Sequence, residues 1–326
     1  MIEHEVIIVG GGPAGSSAAW ELTRNGIDCL VLDRETFPRE KLCAGWITPE
    51  VLADLEFEPA DYPYRFLTFE SLRISVKGIH FPFHSPQHSI RRFEFDRWLL
   101  ERSGAPVAMH NVRSIEERDD AYAIDDTYRA RFLIGAGGTR CPVYRELFRE
   151  AHPRAKGLQV VTQELEFEFE VPNRDCHLKF FGHGLPGYAW YVPKEKGYVN
   201  VGIGGVADKI KTGGTDIKAH WRMLIDDLIR EGLLQEDPGE PGGYSYFLRA
   251  NRVEPRRGNA FVIGDAAGLA TRDMCEGIGP AVASGLMAAR TIIRGDEFDL
   301  TRIPAHTLEQ PIARRVLDYA FTGNRN

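Results

Sequence analysis

Long hydrophobic runs are missing from this sequence. No apolar segment reaches the roughly eighteen residues that a membrane-spanning helix needs. The longest candidate runs from Gly277 to Ala289 and is interrupted by Pro280 and Gly285. The first residues have neither the basic segment nor the apolar core of a signal peptide. We therefore expect no transmembrane helix and no secretion signal.

Cysteine is also scarce. The five cysteines are an odd number without CxxC spacing, which is typical of neither a disulfide framework nor a zinc site. We expect free thiols, no metal site and a reducing, cytoplasmic setting. An excess of positive charge is missing as well, since the formal net charge is -7. Because binding of phosphate backbones needs a basic face, nucleic acid is excluded as a main partner.

What the sequence does have is the composition of a globular enzyme. Its 326 residues are 43% hydrophobic and 27% charged, so the chain can bury a large core in roughly one to three domains. This composition leaves the oligomeric state open.

The first segment of the chain is organised as strand, turn and helix. The apolar run Glu5–Val9 predicts a strand, Gly10–Gly15 a tight turn that opens a helix, and Cys29–Leu32 a second strand. Asp33 and Arg34 end that second strand. The segment is therefore predicted to form a βαβ unit with an acid at the end of its second strand.

Each glycine of this turn has a physical role in the predicted unit. Gly10 permits the turn, Gly12 lets the backbone approach a pyrophosphate, and Gly15 lets the helix lie close to the sheet. The phosphates would bind at the N-terminus of the helix that starts near Pro13, where free N–H groups and the helix dipole attract anions. Asp33 is placed to accept hydrogen bonds from an adenosine ribose. Together these features predict a dinucleotide site.

Two further strand-to-turn patterns occur later in the chain. Apolar runs at 132–134 and 260–263 each lead into a glycine-rich turn, and a helix of small residues follows the second turn as far as about Arg294. In the gaps between the βαβ unit and these later elements, alternating patterns predict antiparallel strands, including a hairpin that turns at Lys77-Gly78. At 164–171 the strict alternation predicts that the glutamates face water while the apolar residues face a core or cavity.

These patterns predict an α/β fold. Parallel-type elements at the start, middle and end would form one discontinuous Rossmann-type nucleotide-binding domain, with a mostly antiparallel β-sheet substrate domain inserted between them. The predicted boundaries are 1–70, 88–155 and 250–326 for the first domain, and 71–87 and 156–249 for the inserted domain.

Four stretches of the sequence resemble a known family. Gly10–Gly15, the segment Arg92-x-x-Phe95-Asp96, Gly135–Thr139 and Gly264–Gly268 are similar in order and spacing to motifs of the two-domain flavoproteins that include p-hydroxybenzoate hydroxylase. One departure is that the turn after Gly135 lacks the acid that the family usually has there. The resemblance implies FAD as the cofactor of the Rossmann-type domain.

Within that group the sequence is most similar to the geranylgeranyl reductases. Lys41–Gly45 resembles their Cys-Gly-Gly loop, with Ala44 in place of the first glycine, and Pro186–Pro193 resembles their YxWxFP motif. Glu276-Gly277-Ile278 also matches.

The resemblance implies a set of contacts with FAD. Asp33 would bind the ribose and Asp265 the ribityl chain, and the helix after Gly277 would direct its positive end at the N1/O2 edge of the flavin. The other residues implied at the cofactor are Pro13, Ala14, Arg34, Cys43, Ala44, Gly45, Ile47, Arg92, Val112, Gly137, Ile278 and Gly279.

The same resemblance suggests the chemistry. We expect a flavin-dependent reductase of carbon–carbon double bonds, acting on an isoprenoid or similar apolar small substrate by hydride transfer from flavin N5. Tyr188 and Trp190 lie two residues apart on one strand and would form one wall of the substrate pocket, although packing in a core is the alternative. Cys43 is a candidate catalytic residue near the flavin, and a buried small side chain is its alternative role.

Other functions share this fold. A flavin monooxygenase of an aromatic or apolar small molecule is one alternative, and a redox-neutral FAD-binding protein is another. The single dinucleotide fingerprint is assigned to FAD, so the electron donor would be NAD(P)H bound at a transient site or a ferredoxin-like protein. A lipid substrate would imply peripheral membrane contact, although no basic amphipathic helix is evident.

Overall fold

The computed structural model describes residues 1–323 and contains two eight-stranded sheets. The helices are α1 (Pro13–Arg24), α2 (Pro49–Asp54), α3 (Arg92–Arg102), α4 (Ala207–Thr212), α5 (Ile217–Arg230), α6 (Ile278–Arg294) and α7 (Pro311–Thr322). The strands are β1 (Ile2–Val9), β2 (Cys29–Asp33), β3 (Trp46–Ile47), β4 (Leu67–Val76), β5 (Ile79–Ser89), β6 (Val107–Met109), β7 (Ile115–Arg118), β8 (Ala121–Ile124), β9 (Tyr128–Gly135), β10 (Gln159–Glu168), β11 (His177–Phe180), β12 (Gly187–Lys194), β13 (Tyr198–Val206), β14 (Gly242–Phe247), β15 (Arg256–Arg257) and β16 (Ala260–Val262).

The first sheet has a parallel core and confirms the Rossmann-type fold. Its order is β15-β16-β9-β1-β2-β6, with β8 beside β9 and β7 beside β8. β1 pairs in parallel with β2 and β9, and α1 connects β1 to β2 as predicted. All five residues of β2 are buried, because strands of such a sheet are covered on both faces. The carboxyl ends of β1, β2 and β9 therefore meet at one edge of the sheet.

The second sheet is mostly antiparallel, in the order β14-β10-β13-β12-β11-β4-β5-β3. Its one parallel pair is β11 with β4. The predicted hairpin is present, since β4 and β5 are joined by Lys77 and Gly78, whose φ angles of 48° and 85° suit a two-residue turn. The predicted domain boundaries near residues 70 and 88 fall inside β4 and β5. The division into two domains stays a prediction.

One expectation about β10 is wrong. The alternation is present, and Leu165 and Phe167 pack with the core beneath α5. Glu164, however, does not face water, because its side chain is only 2% exposed. The face of β10 that carries Glu164 is turned towards the first sheet, and a cavity rather than solvent lies there. Alternation alone predicts which residues share a face but not what covers that face.

Among residues 1–323, every helix is too short or too polar to cross a membrane.

Candidate active site

A cavity of about 580 Å³ is lined by residues of both sheets and collects most of the predicted site residues. The carboxyl ends of β1, β2 and β9 form one wall, and one face of the second sheet forms the floor. The predicted residues that line the cavity are Gly10, Gly12, Pro13, Ala14, Asp33, Arg34, Cys43, Ala44, Gly45, Arg92, Val112, Gly137, Tyr188, Trp190, Asp265, Gly277 and Ile278.

Three predicted contact residues lie outside this lining. Gly15 packs against the end of β1, since a Cβ atom there would lie 1.9 Å from the carbonyl oxygen of Gly10. Ile47 is fully buried in the core. Gly279 donates its backbone N–H to Oε1 of Glu276 at 2.6 Å. Contact of these three residues with a cofactor stays a prediction.

Asp33 stabilises the turn at one end of the cavity. Its carboxylate accepts hydrogen bonds from the backbone N–H of Gly11 at 2.7 Å and of Glu35 at 3.0 Å. The carboxylate of Asp33 therefore connects the glycine-rich turn to the residues that follow β2. Gly12 lies at the N-terminus of α1, and a Cβ atom there would have only the tip of Arg39 within 4 Å. This end of the cavity thus presents backbone and a helix N-terminus, an arrangement that binds phosphate.

Arg92 is held by a buried carboxylate. Its Nε and Nη2 atoms donate to the two oxygens of Asp96 at 2.6 and 2.7 Å, across one turn of α3. Asp96 has no exposed side-chain surface, and Arg39 is 3.5 Å from the same carboxylate. Within the predicted Arg92-x-x-Phe95-Asp96 segment, Arg92 and Asp96 therefore form an ion pair, and this pair fixes the guanidinium of Arg92 at the cavity wall.

The loop that contains Cys43 is fixed by a lysine of the floor. The buried Lys194 donates from Nζ to the carbonyl oxygens of Gly45 at 2.9 Å and Ile90 at 2.8 Å, and also to that of Ala44. Burial lowers the pKa of Lys194 to about 8. A single ammonium group thereby binds two backbone segments, the Cys43 loop at Ala44 and Gly45 and the residue after β5, Ile90, and it orients the loop over the cavity.

Asn200 forms a second connection between this loop and the floor. Its Nδ2 donates to the carbonyl oxygen of Cys43 at 3.3 Å, and its Oδ1 accepts the indole N–H of Trp190 at 2.7 Å. The position of the indole is therefore coupled to that of the Cys43 loop.

The floor of the cavity is aromatic at its centre. Tyr188 and Trp190 lie on the same face of β12 with ring centroids 5.7 Å apart. The hydroxyl group of Tyr188 donates to the carbonyl oxygen of Met274 at 2.6 Å. Both side chains line the cavity and also belong to the buried core. The two side chains can therefore contact an apolar ligand in the cavity while they remain packed in the core.

Two ionisable groups lie at this floor in addition to Lys194. Glu164 lines the cavity, its Oε2 has no hydrogen-bond partner, and burial raises the pKa of its carboxyl to about 7. Lys41 places Nζ 3.0 Å from the centroid of the Tyr244 ring, and burial lowers its pKa to about 8. A site that moves the pKa values of a carboxyl and an amine towards 7 is suited to proton transfer.

The N-terminus of α6 approaches the cavity with part of its donors already engaged. Glu276 accepts from the N–H of Gly279, and burial raises the pKa of Glu276 to about 7. Gly277 and Ile278 line the cavity beside Asp265. The N-terminus of α6 therefore borders the cavity, with a carboxyl group close to it, and its direction at the N1/O2 edge of a flavin stays a prediction.

Sequence reasoning missed three of these residues. Lys194 has a usable signal, because it continues the inward register of Tyr188 and Trp190 on β12. A lysine at an inward position is either paired or functional. Asn200 and Glu164 have no such signal, since their positions depend on which strands pair across the sheet.

The cavity fits FAD. Gly10, Gly12, Gly137 and Gly277 line it, so backbone rather than side chains borders much of its wall. Its volume is in the range of cofactor sites. The aromatic floor supplies an apolar surface in the same cavity.

Comparison with known proteins supports the same cofactor. Residues 3–53 match the FAD binding domain family. The menaquinone reductase of Mycobacterium tuberculosis is 30% identical over 92% of this chain and 78% of its own length. Digeranylgeranylglycerophospholipid reductase 2 of Methanosphaera stadtmanae is 27% identical over 91% of this chain and 80% of its own length.

Solved structures show the same fold. A geranylgeranyl bacteriochlorophyll reductase-like protein from Thermoplasma acidophilum superimposes with a TM-score of 0.78 at 19% identity. The alignment covers 98% of this chain and 83% of that protein. The shared fold therefore includes both sheets.

Proposed function

Because this chain belongs to the geranylgeranyl reductase-like family of FAD-dependent oxidoreductases, we propose that it reduces carbon–carbon double bonds of an isoprenoid or similar apolar substrate. The relatives named for menaquinone and digeranylgeranylglycerophospholipid support a lipid substrate. When bound, reduced FAD supplies a hydride from N5.

The observation that carries this proposal is the aromatic floor opposite the Cys43 loop. Tyr188 and Trp190 present a buried apolar surface to the cavity. Lys194 and Asn200 connect that floor to the loop. An apolar chain placed on the floor would be shielded from water and held in one orientation, which is the contribution that the protein makes in cofactor-dependent chemistry.

The remaining predicted residues have separate roles in this proposal. The turn with Gly10, Gly12 and Gly15 and the carboxylate of Asp33 hold the adenosine half of FAD. Arg92 and Asp265 hold the middle of the cofactor. Among the other implied contact residues, Cys43, Ala44, Gly45, Ile47, Gly277, Ile278 and Gly279 would hold the flavin end of FAD near the aromatic floor.

The electron donor belongs to the proposal as well. The one dinucleotide fingerprint is used for FAD, so we expect either NAD(P)H at a transient surface site or a ferredoxin-like protein to reduce the flavin. Anaerobic mixing with NADH, NADPH and reduced ferredoxin, followed by flavin absorbance, distinguishes these donors.

The function is tested by an anaerobic oxidation experiment. The FAD-loaded protein is reduced, mixed with prenyl lipids or with aromatic acids, and followed by flavin absorbance and product mass. Oxidation of the flavin by a prenyl lipid that gains two hydrogens supports the proposal. Hydroxylation of an aromatic acid that requires oxygen would instead indicate a monooxygenase, and a flavin that no substrate oxidises would indicate a redox-neutral protein.

A lipid substrate also requires access to a membrane, and α7 offers a surface for it. Ile312, Val316 and Tyr319 follow helical spacing and are 80%, 55% and 64% exposed. The exposed Arg315 lies on the same helix. We extend the proposal to peripheral contact of this helix with anionic lipid. Val316→Glu should reduce sedimentation with anionic vesicles, whereas Met109→Glu, at a residue that is 69% exposed on β6, should not.

A further inference from the structure

Reduction of a double bond, as proposed above, needs a proton for the carbon that does not receive the hydride. Most hydrogen-bond donors at the floor of the cavity are engaged elsewhere. The hydroxyl of Tyr188 donates to Met274, and the ammonium of Lys194 donates to three backbone carbonyls. The sulfur of Cys43 accepts from the N–H of Gly45 at 3.4 Å.

Glu164 differs from these groups in having an oxygen without a partner. Its side chain is 2% exposed, it lines the cavity, and Oε2 forms no hydrogen bond with any of residues 1–323. A buried carboxyl oxygen left unpaired costs free energy. Such a group is retained where a ligand or a reaction uses it.

The sheet places this carboxyl next to the aromatic floor. Glu164 on β10 lies opposite Gly202 on β13, and Gly202 lies opposite Trp190 on β12. Because Gly202 has no side chain, nothing on that central strand separates the carboxyl from the indole. A Cβ atom at Gly202 would lie 2.1 Å from Cζ2 of Trp190, so the indole occupies the space above the glycine.

The charges around Glu164 favour proton exchange. Lys41 and Lys194 act on it most strongly among the cations, followed by Arg92. The phenol of Tyr188 shares the same floor. Burial outweighs these cations and keeps the carboxyl largely protonated below about pH 7. Lys41 would then stabilise the carboxylate that remains after proton release.

We propose that Glu164 is the catalytic acid that protonates the double bond. In this step the π bond breaks and two C–H bonds form, one with hydride from reduced FAD and one with the proton of Glu164. The O–H bond of the carboxyl breaks and its electron pair stays on the carboxylate. Two electrons leave the reduced FAD, and the carboxylate recovers a proton from solvent before the next turnover.

The first test measures the protonation state of the Glu164 carboxyl group directly and does not depend on turnover. Infrared spectra of the FAD-loaded protein, recorded without substrate between about pH 5 and pH 9, should contain a protonated carboxyl band that titrates near pH 7. Glu276 titrates in the same pH range, so the band should lose only its Glu164 part in Glu164→Gln and keep its full intensity in Glu168→Gln, an exposed carboxylate on the same face of β10. An unchanged band in Glu164→Gln would contradict a neutral Glu164.

The second test measures the step. Anaerobically reduced protein is mixed with a prenyl lipid, and flavin oxidation is followed in single turnover. Glu164→Gln should slow this oxidation roughly 100-fold or more, as removal of a general acid does, with lipid affinity and the rate of flavin reduction unchanged. Glu164→Asp should recover part of the rate, and Glu168→Gln should match the wild type.

The outcomes separate the two proposals. If no prenyl lipid oxidises the wild-type flavin, the reductase function is wrong, and the acid role is wrong with it. If prenyl lipid oxidises the wild type and Glu164→Gln equally fast, the function stands and the role of Glu164 is wrong. FAD binding and the unfolding temperature of each variant verify that a slow variant is folded.

Discussion

The indole of Trp190 lies directly above Gly202 on the neighbouring strand, in space that any larger residue would take. The ideal Cβ position of Gly202 is 2.1 Å from Cζ2 and 2.6 Å from Nε1 of the indole. The same indole donates to Asn200, which holds the carbonyl oxygen of Cys43. Because Gly202 has no side chain, the indole of Trp190 can pack against the backbone of β13, and this packing determines where the surface of the cavity floor lies.

We predict that Gly202→Ala displaces the indole and breaks its bond to Asn200. Forcing extra atoms into packed space costs about 1 to 3 kcal/mol, and the lipid should bind at least tenfold more weakly because the floor is no longer flat. Unfolding in urea and lipid titration of the flavin spectrum measure the two effects. Gly182→Ala, at an open position with no atom within 4 Å of the added carbon, is the control. Equal lipid affinity in both variants would contradict the prediction.

We predict that Lys194→Met releases the Cys43 loop. The carbonyl oxygens of Ala44 and Ile90 lose this donor, whereas that of Gly45 keeps the N–H of Ile90, and a buried acceptor without a partner costs about 1 to 3 kcal/mol. FAD affinity should fall at least tenfold, measured by flavin fluorescence on titration of the apoprotein. Lys196→Met removes a half-exposed lysine of the same turn and should change stability by less than about 0.5 kcal/mol. FAD affinity that stays at the wild-type value in Lys194→Met would show that the loop is held by other contacts.

We predict that Glu164 makes the protein less stable as the pH rises through neutrality. The carboxyl has a pKa of about 7 when folded and 4.5 as its ordinary value, so between these values the folded protein binds more protons than the unfolded chain. Its stabilising effect is complete below about pH 4.5 and lost above about pH 7, a change of about 3 kcal/mol. The difference in unfolding free energy between wild type and Glu164→Gln should follow this window.

Glu276 acts in the same direction, since burial raises its pKa to about 7 as well. The wild-type slope therefore contains both groups, and Glu164→Gln should remove only part of it. Glu168→Gln should leave the slope unchanged. A slope that is identical in wild type and Glu164→Gln would mean that this carboxyl is ionised in the folded protein.

We predict that Asp96→Asn destabilises the protein by about 3 kcal/mol, because it leaves the guanidinium of Arg92 buried without its counter-charge. Glu101→Gln on the same helix breaks the exposed pair with Arg97, also four residues apart, and should cost less than about 0.5 kcal/mol. Guanidinium chloride unfolding compares the two. Similar losses in both variants would mean that burial does not strengthen the Arg92 pair.

The parts of the fold that sequence could predict are those determined locally. The βαβ unit is set by an apolar strand, a glycine turn and a helix within Glu5–Asp33, and the hairpin by Lys77-Gly78. Glu164 shows the limit of this reasoning. Alternation assigned it correctly to the face opposite Leu165, but only the approach of the first sheet determines that a cavity covers that face.

The candidate site has the same division. The glycines and Asp33 could be identified because each motif is contiguous in sequence. Lys194 and the Cys43 loop could not be joined, because no local pattern specifies that an ammonium on β12 lies beneath residues 44 and 45. Likewise, the contact between Gly202 and Trp190 cannot be predicted until the pairing of β12 with β13 is known.

The bonds from Lys194 to Ala44 and Gly45 join residues that are 150 and 149 positions apart. During synthesis the glycine-rich turn therefore leaves the ribosome long before the lysine that orients the loop beside it. A nascent chain that ends before β12 has the first part of the adenosine site but an unsupported Cys43 loop. Cofactor loading is thus expected to be a late event, all the more because Asp265 and Gly277, which also line the cavity, follow Lys194 in the sequence.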